Sequence, residues 1–189
     1  MQSSNTTRRT QAERRAETYQ QVLDSATKLF GECGYANTSL EDIANDCDLT
    51  TRPIYHYFGN KKALFAAVNE IMEQRILESM SDADAGISIQ DDWESFMVLC
   101  DDPSFRQIVL TDSPNVLGKE RWQNSAVTRK ALAHFKTTKR GEAKNYRQQL
   151  FSRMLMGAFS EAALFIAEAE DIKIAKREAR QLIANMFAR

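Results

Sequence analysis

Hydrophobic residues recur along this chain with the spacing of an α-helix over most of its length. The first long run ends near Cys33, where Gly34 is placed to stop the helix. A second long run follows Asn60 and continues to about Met80. Alternation of apolar and polar residues, which is typical of strands, does not persist anywhere. With only 7 Gly and 3 Pro in 189 residues, the pattern predicts an all-α protein.

Residues 39–58 predict two short helices joined by a tight turn, which is a helix-turn-helix. Thr38 followed by Glu41 matches a capping box, so Thr38 is the predicted N-cap of the first helix. Thr50 is placed to cap the second helix. Pro53 fits because it falls in the first turn of that helix, where a missing N–H has little cost.

The second of these helices has two chemically different faces. Ile54, Tyr57 and Phe58 fall together as an apolar face. The opposite face carries hydrogen-bonding groups and no carboxylate, and its residues are Thr51, Arg52, Tyr55 and His56. Because such groups bond to base edges and phosphates, this face predicts contact with nucleic acid. The alternative is an ordinary amphipathic helix with a solvated side.

The start of the next helix strengthens the nucleic-acid interpretation. Gly59 ends the preceding helix and Asn60 caps the next, whose first turn contains Lys61 and Lys62. Cations at a helix N-terminus oppose the macrodipole, so these lysines do not serve helix stability. A phosphate bound by the free N–H groups and the lysines explains them better.

The formal net charge is −1, and residues 1–62 contain eight basic and eight acidic side chains, which cancel. The total charge therefore does not indicate DNA binding, and the distribution of the basic residues must. The basic residues lie mainly in the N-terminal segment, the second helix and the lysine turn. We therefore expect residues 1–14, with Arg8 and Arg9, to form a flexible basic arm that enters the minor groove. A solubilising tail is the alternative.

The combined pattern resembles the DNA-binding domain of the tetracycline-repressor (TetR) family. The matching stretches are Gly34-Tyr35, residues 38–44, residues 54–58 and Asn60-Lys61. The resemblance implies a helix-turn-helix DNA-binding domain over residues 15–76 and an effector-binding and dimerisation domain over residues 77–189. It implies these DNA-contacting residues: Thr38, Ser39, Thr50, Thr51, Arg52, Pro53, Tyr55, His56, Tyr57 and Lys61.

The sequence departs from the family pattern at three positions. Arg52 and Pro53 stand where members often carry a small residue and Ala or Thr, and Asp48 stands where Gly is common. These departures bear on the base preference and leave the expected fold unchanged.

The second half of the chain predicts further helices, whose start and stop signals are weaker. Residues 81–90 read as a loop, residues 91–100 as a helix, and Pro103 opens another helix. Residues 112–118 break the pattern before a helix begins at Arg121. An Asp-Ser-Pro…Leu-Gly…Arg-Trp segment here resembles one subgroup of TetR-family ligand-binding domains.

Large polarisable side chains in this half predict an effector pocket, since Met and aromatic residues line adaptable apolar sites. The candidates are Trp93, Phe96, Met97, Trp122, Phe151, Met154 and Leu155. The expected effector is small and mostly apolar, with Arg121 and Arg153 available to a carboxylate. The alternative is that these residues form an ordinary core.

Two helices near the C-terminus, over about 144–170 and 172–187, predict a homodimer. Each carries an apolar stripe, and two such hairpins can bury each other as a four-helix bundle. The predicted interface residues are Leu150, Gly157, Ala158, Glu161, Phe165, Ala179, Leu182, Ile183 and Met186. The alternative is that both helices cover only their own domain.

Together these features predict a cytoplasmic, homodimeric, DNA-binding transcriptional regulator. We expect a repressor that a small effector releases from a palindromic operator, although no sequence feature separates repression from activation. The family resemblance implies that release works by changing the separation of the two second helices. The alternative is an effector-independent DNA-organising or partner-binding protein of the same fold. An enzyme is not expected, because phosphate loops, nucleophile elbows and metal-ligand spacings are missing. Nor are a cofactor, a metal or a membrane partner expected.

Overall fold

The computed structural model describes residues 10–80, 89–118, 121, 125–133 and 142–187, and every regular element within them is helical. The first four helices belong to the N-terminal domain: α1 Gln11–Asn37, α2 Leu40–Asp46, α3 Thr51–Phe58 and α4 Lys61–Ser79. The others are α5 Ile89–Leu99, α6 Pro103–Phe105, a π-helical segment Arg106–Asp112, α7 Ser113–Val116, α8 Ala126–Ala133, α9 Glu142–Glu168 and α10 Ile172–Phe187. The predicted all-α fold is confirmed, and no helix in the described ranges is long and apolar enough to span a bilayer.

The N-terminal end of α1 corrects the predicted extent of the flexible arm. Thr10 caps this helix, its hydroxyl accepting from the Glu13 N–H at 3.2 Å while the Glu13 carboxylate accepts from the Thr10 N–H at 2.7 Å. Because this capping box satisfies two orphan donors, residues 11–14 are helical and do not belong to an arm. Residues 1–9, with Arg8 and Arg9, lie outside the described residues.

The predicted interruption at Gly34 is confirmed. Gly34 has φ of +79°, a value that only glycine adopts at little cost, and it separates the body of α1 from one last turn. The chain then turns through Thr38 and Ser39 into α2.

The four N-terminal helices enclose one apolar core. Its fully buried members include Val22, Ala26 and Phe30 of α1, Ile43 of α2, Ile54 of α3, and Leu64, Phe65 and Val68 of α4. These are the apolar positions that the helical spacing predicts. The long helix α4 continues past this core and contacts α5 and α8, so it belongs to both domains.

Two predictions about the second domain are wrong in detail. Ile89 and Gln90 belong to α5, so the expected loop over residues 81–90 ends earlier; residues 81–88 lie outside the described part of the chain. The predicted break at 112–118 begins later than expected, since the backbone stays helical from Pro103 to Val116 and leaves the helix at Leu117 and Gly118. The π segment ends two residues before Pro114 and contains Leu110, the residue at i−4. Its wider turn accommodates a proline ring that clashes with the i−4 carbonyl in a regular α-helix.

The C-terminal helices α9 and α10 pack against each other and confirm the two predicted long helices. Two exposed ion pairs join α10 to the region of α5. Arg180 pairs with Glu94 of α5, and Lys176 pairs with Asp101, two residues after α5 ends. Trp93 and Ile183 are buried in the core of this domain.

Candidate nucleic-acid interface

Helix α2 begins one residue later than the sequence predicts, because Ser39 and not Thr38 is its N-cap. The Ser39 hydroxyl accepts from the Asp42 N–H at 3.0 Å, and the Asp42 carboxylate accepts from the Ser39 N–H at 2.7 Å. The Ser39 hydroxyl also donates to the Asp42 carboxylate at 2.7 Å. This bond and the one from the Ser39 N–H, with a smaller contribution from Lys61, lower the pKa of Asp42. The capping box therefore exists, one position along from Thr38 and Glu41.

Thr38 is a DNA-contact candidate whose side chain is almost entirely buried. It is 2% exposed, and its hydroxyl is directed at two carbonyls at the end of α1, Gly34 at 2.9 Å and Leu29 at 3.1 Å. Because a hydroxyl has a single hydrogen, it donates to one of these carbonyls at a time, beside the break at Gly34. The Thr38 hydroxyl supports the chain turn, whereas Ser39 is half-buried.

The turn between α2 and α3 is held from both sides. Asp48 takes φ of +53°, a left-handed conformation that Asp tolerates better than most residues, and the Leu49 N–H bonds to the Ala44 carbonyl at 2.8 Å. From α1, the Gln21 amide donates to the Cys47 carbonyl at 2.9 Å. Thr50 occupies the predicted N-cap position of α3, but its exposed side chain makes no capping bond.

Helix α3 separates into the two faces that the sequence predicts. Ile54 is fully buried, while Tyr57 and Phe58 are half-buried against the Tyr19 ring at centroid distances of 5.7 and 4.9 Å. On the other face Arg52, Tyr55 and His56 are exposed, and Thr51 and Pro53 are half-buried. This arrangement leaves a guanidinium, a phenol and an imidazole directed outward from a short, well-anchored helix.

A groove of about 380 Å³ lies beside this face and is formed by the ends of three helices. Its lining residues are Ala36, Asn37, Thr38, Ser39, Leu40, Glu41, Tyr55, Asn60 and Lys61. At its floor the Asn60 side chain caps α4 by accepting from the Ala63 N–H at 2.9 Å. The groove therefore combines the N-terminal ends of α2 and α4 with the Lys61 ammonium, a combination suited to an anionic group.

Tyr35 is a part of this site to which the sequence analysis assigned no role. The Lys61 ammonium lies 4.2 Å from the centroid of the Tyr35 ring, close enough for a cation–π interaction. That ring is fixed in turn by Phe30 and Phe65, at centroid distances of 5.8 and 5.0 Å. The Gly34-Tyr35 pair was visible in the sequence, but its position relative to Lys61 follows only from the packing.

The candidate pocket residues of the second domain divide into three groups. Trp93, Met97 and Leu155 are buried, and Trp93 packs on Phe159 at a centroid distance of 4.8 Å. Phe96 and Phe151 are half-buried. Met154 is 60% exposed, so its assignment to an internal pocket is wrong; it lies on the outer side of α9 because its helical position faces away from the core. Trp122 lies outside the described residues.

The two arginines proposed to bind a carboxylate also differ. Arg121 forms ion pairs with two carboxylates of α4. Its Nε lies 3.0 Å from the Glu73 carboxylate, and its guanidinium lies 3.8 Å from the Glu70 carboxylate. Arg153 is exposed.

The predicted dimer face is mostly outward in the single chain. Leu150, Phe165 and Leu182 are 60, 67 and 65% exposed, and Gly157 and Glu161 are also exposed. Ala158 and Ala179 are half-buried.

One member of the predicted dimer face is contradicted. Ile183 is 4% exposed and packs in the core of its own domain, because it follows Leu182 by about 100° around α10. The side chain of Met186 lies outside the described residues.

Comparison with protein families matches both parts of the chain. Residues 22–68 match the family described as bacterial regulatory proteins, tetR family. Residues 88–189, more than half of the chain, match the family described as tetracyclin repressor-like, C-terminal domain.

Individual relatives agree with these matches. The HTH-type transcriptional regulator AcrR of Shigella flexneri is 40% identical over 62 residues, which are 33% of this chain and 29% of AcrR. IcaR of Staphylococcus aureus (strain Newman), a negative transcriptional regulator of the biofilm operon icaADBC, is 36% identical over 44 residues, 23% of this chain and 24% of IcaR. The chain thus spans less than a third of the length of these curated relatives.

Solved structures are similar over nearly the whole chain. A TetR-family transcriptional regulator from Pectobacterium atrosepticum is 28% identical with a TM-score of 0.61, covering 95% of this chain and 96% of that one. The transcriptional regulator FadR from Bacillus subtilis, solved in complex with stearoyl-CoA, has a TM-score of 0.58 at 16% identity, covering 87% of this chain and 96% of that one. At that identity the second likeness shows the fold alone.

Proposed function

The chain belongs to the TetR family of bacterial transcriptional regulators, and from that membership we propose that it is a homodimeric repressor released from a palindromic operator by a small-molecule effector. IcaR is named as a negative transcriptional regulator, which supports repression as the direction of control. In this proposal the N-terminal domain makes the DNA contact and the C-terminal domain binds the effector.

The observation that carries DNA binding is the outward face of α3. It exposes Arg52, Tyr55 and His56 without a carboxylate in the helix, and the Lys61 groove borders it. In the major groove, Arg reads guanine through a bidentate pair, and a neighbouring lysine neutralises a phosphate. Helix α3 is thus the proposed recognition helix.

The proposed dimer follows from the exposed stripe on α9 and α10. Leu150, Phe165 and Leu182 are each more than half exposed on adjacent helices, a surface whose burial is favourable. Two copies joined there form a four-helix bundle and present two recognition helices. Their separation must match the roughly 34–36 Å repeat between successive major grooves.

The effector is proposed to act through α4, which reaches from the Lys61 groove to α5 and α8. An effector that prefers a different arrangement of the second domain moves α4 and with it the recognition helices. The fold accommodates such ligands, as the stearoyl-CoA complex of FadR illustrates for that protein.

A second candidate function is an effector-independent DNA-binding protein of the same family. The packing of Trp93 favours it, because this pocket candidate contacts another candidate, Phe96, at a centroid distance of 6.1 Å and also packs on Phe159 at 4.8 Å. Dimerisation is then the whole role of the second domain.

The test is selection of bound duplexes from a random-sequence pool by the purified protein, followed by challenge of the complex with a metabolite library. The proposal predicts an inverted repeat with half-sites one helical turn apart or a multiple of it, and release by one chemical class of metabolite. An enriched duplex that no metabolite releases leaves the second candidate. Failure to enrich any sequence contradicts both.

A further inference from the structure

The backbone of Tyr35 is held by a residue of the other domain. Its N–H donates to the Asp112 carboxylate at 2.7 Å, across 77 positions of sequence. Asp112 ends the π segment of the second domain, so this bond links the two domains directly. A bond to a carboxylate is shorter and stronger than one between neutral groups.

The surroundings of this bond leave little room for adjustment. A Cβ on Gly34 would lie 3.1 Å from the Gln107 amide and 3.6 Å from the Asp112 carboxylate. One turn earlier, a Cβ on Gly31 would lie 2.4 Å from the Ser104 Cβ. The end of α1 is therefore in direct contact with α6 and the π segment.

The ring of Tyr35 carries the connection on to the proposed DNA contact. It lies under the Lys61 ammonium at 4.2 Å, and Lys61 borders the groove beside the recognition helix. The chain of contacts runs from Asp112 to the Tyr35 amide, and from the Tyr35 ring to Lys61. The first bond fixes the backbone from which the ring projects, and the ring sets where the ammonium lies.

We propose that Asp112 is a positioning residue for DNA binding: through the Tyr35 amide it places the ring that holds Lys61 against a backbone phosphate. This inference rests on the proposed DNA-binding function. It makes one carboxylate of the second domain a determinant of phosphate contact. In this proposal, an effector that moves the π segment withdraws Lys61 from the phosphate.

The first test measures the salt dependence of binding to the duplex that the wild-type protein selects from the random pool. Lys61→Gln removes one phosphate contact and lowers the slope of log affinity against log salt by about one unit. Asp112→Ala lowers it by the same amount, and the double variant shows no further decrease. Asp112→Asn, which keeps one carbonyl acceptor, retains more of the slope than Asp112→Ala.

A matched control separates positioning from general stability. Asp101→Ala also removes a carboxylate of the second domain that joins two elements, through Lys176, but it does not touch the N-terminal domain. It should leave the slope unchanged. An Asp112→Ala protein that melts earlier yet keeps the wild-type slope, or whose loss adds to that of Lys61→Gln, overturns the proposal.

A second test does not use DNA. A lysine side chain 4.2 Å from the centroid of an aromatic ring carries an upfield ring-current shift, so the Lys61 side-chain resonances, assigned by their loss in Lys61→Gln, report its distance from Tyr35. Asp112→Ala should move them toward random-coil values, and unchanged resonances refute the positioning role. If the wild-type protein binds no duplex in a salt-dependent way, the proposed function fails, while this measurement still decides whether Asp112 positions Lys61.

Discussion

At the scale of single residues, the proposed DNA-facing surface contains side chains that pack against aromatic neighbours. Tyr57 lies between the rings of Tyr19 and His56, and Lys61 lies over Tyr35. Arg52 differs, because it projects from the first turn of α3 without an ion-pair partner among the described residues. It is the guanidinium of α3 that is free to read a base.

Arg52→Ala should reduce affinity for the selected duplex by about 1–3 kcal/mol and relax the preference at one base pair, because a bidentate contact to guanine is lost. Competition binding against a panel of single-base variants measures both effects. Lys62→Gln, a change in the exposed first turn of α4, is the control and should weaken all sequences alike or not at all. Uniform weakening by Arg52→Ala would assign that side chain to a phosphate instead.

The three cysteines should differ sharply in reactivity. Burial raises the pKa of Cys100 to about 12, opposed in part by Arg106, whereas Cys33 is exposed. The thiolate is the reactive form, and at pH 8 only roughly one Cys100 thiol in ten thousand is ionised. Alkylation followed by peptide mapping should label Cys33 within minutes and Cys100 only after denaturation. Equal labelling in the native protein would contradict the buried position of Cys100.

At the scale of secondary-structure elements, three helix ends near the proposed DNA-facing surface have a capping device. Ser39 and Asp42 cap α2, Asn60 caps α4, and Gly59 with φ of +79° ends α3. Because α2 has only seven residues, it depends on its cap more than a long helix does.

Ser39→Ala should lower the free energy of unfolding by about 0.5–2 kcal/mol, and Ser39→Gly by only a few tenths, since glycine is itself an acceptable N-cap. Urea titrations measure the difference. The pKa of Asp42 is lowered in the folded state, so its contribution is present above the ordinary value of 3.8 and is lost as pH falls through the lowered value. The effect of Ser39→Ala should therefore shrink in that acidic range; an effect independent of pH would argue against the reciprocal cap.

The contact between α1 and α6 offers a second test at this scale. Gly31→Ala places a methyl 2.4 Å from the Ser104 Cβ, so α6 must shift, and we expect destabilisation of about 1–3 kcal/mol. Ser104→Gly in the same chain removes the opposing Cβ and should recover part of that loss. Additive effects of the two changes in a double-mutant cycle would show that the helices separate freely.

At the scale of the whole molecule, α9 and α10 present one side to their own domain and one outward. Leu182 and Ile183 are neighbours in sequence, yet they are 65% and 4% exposed. The pair separates the surface proposed for dimerisation from the core that holds the subunit together.

Leu182→Glu should therefore give a folded monomer, whereas Ile183→Ala should retain the dimer but lose about 2–5 kcal/mol of stability through a core cavity. Sedimentation equilibrium together with circular dichroism distinguishes the two outcomes. The monomer should also bind DNA poorly, because it engages one half-site. An intact dimer in Leu182→Glu would place the interface elsewhere.

The sequence alone determined the helical class, the place of the helix-turn-helix, the two faces of α3 and the caps at Asn60 and Gly59. These features depend on residues within about one helical turn of each other, so periodicity and capping chemistry reveal them. The family resemblance rests on the same local motifs. The family matches at residues 22–68 and 88–189 confirm that resemblance.

The tertiary structure decided what neighbouring residues of similar chemistry do. Thr38 and Ser39 are both competent caps, and only the carbonyls at the end of α1 draw the Thr38 hydroxyl inward and leave the role to Ser39. The bond from the Tyr35 amide to Asp112 joins positions 77 residues apart, and no local pattern encodes such a pairing. It exists because the domains pack α1 against the π segment, and packing depends on the shape of the whole core rather than on spacing along the chain.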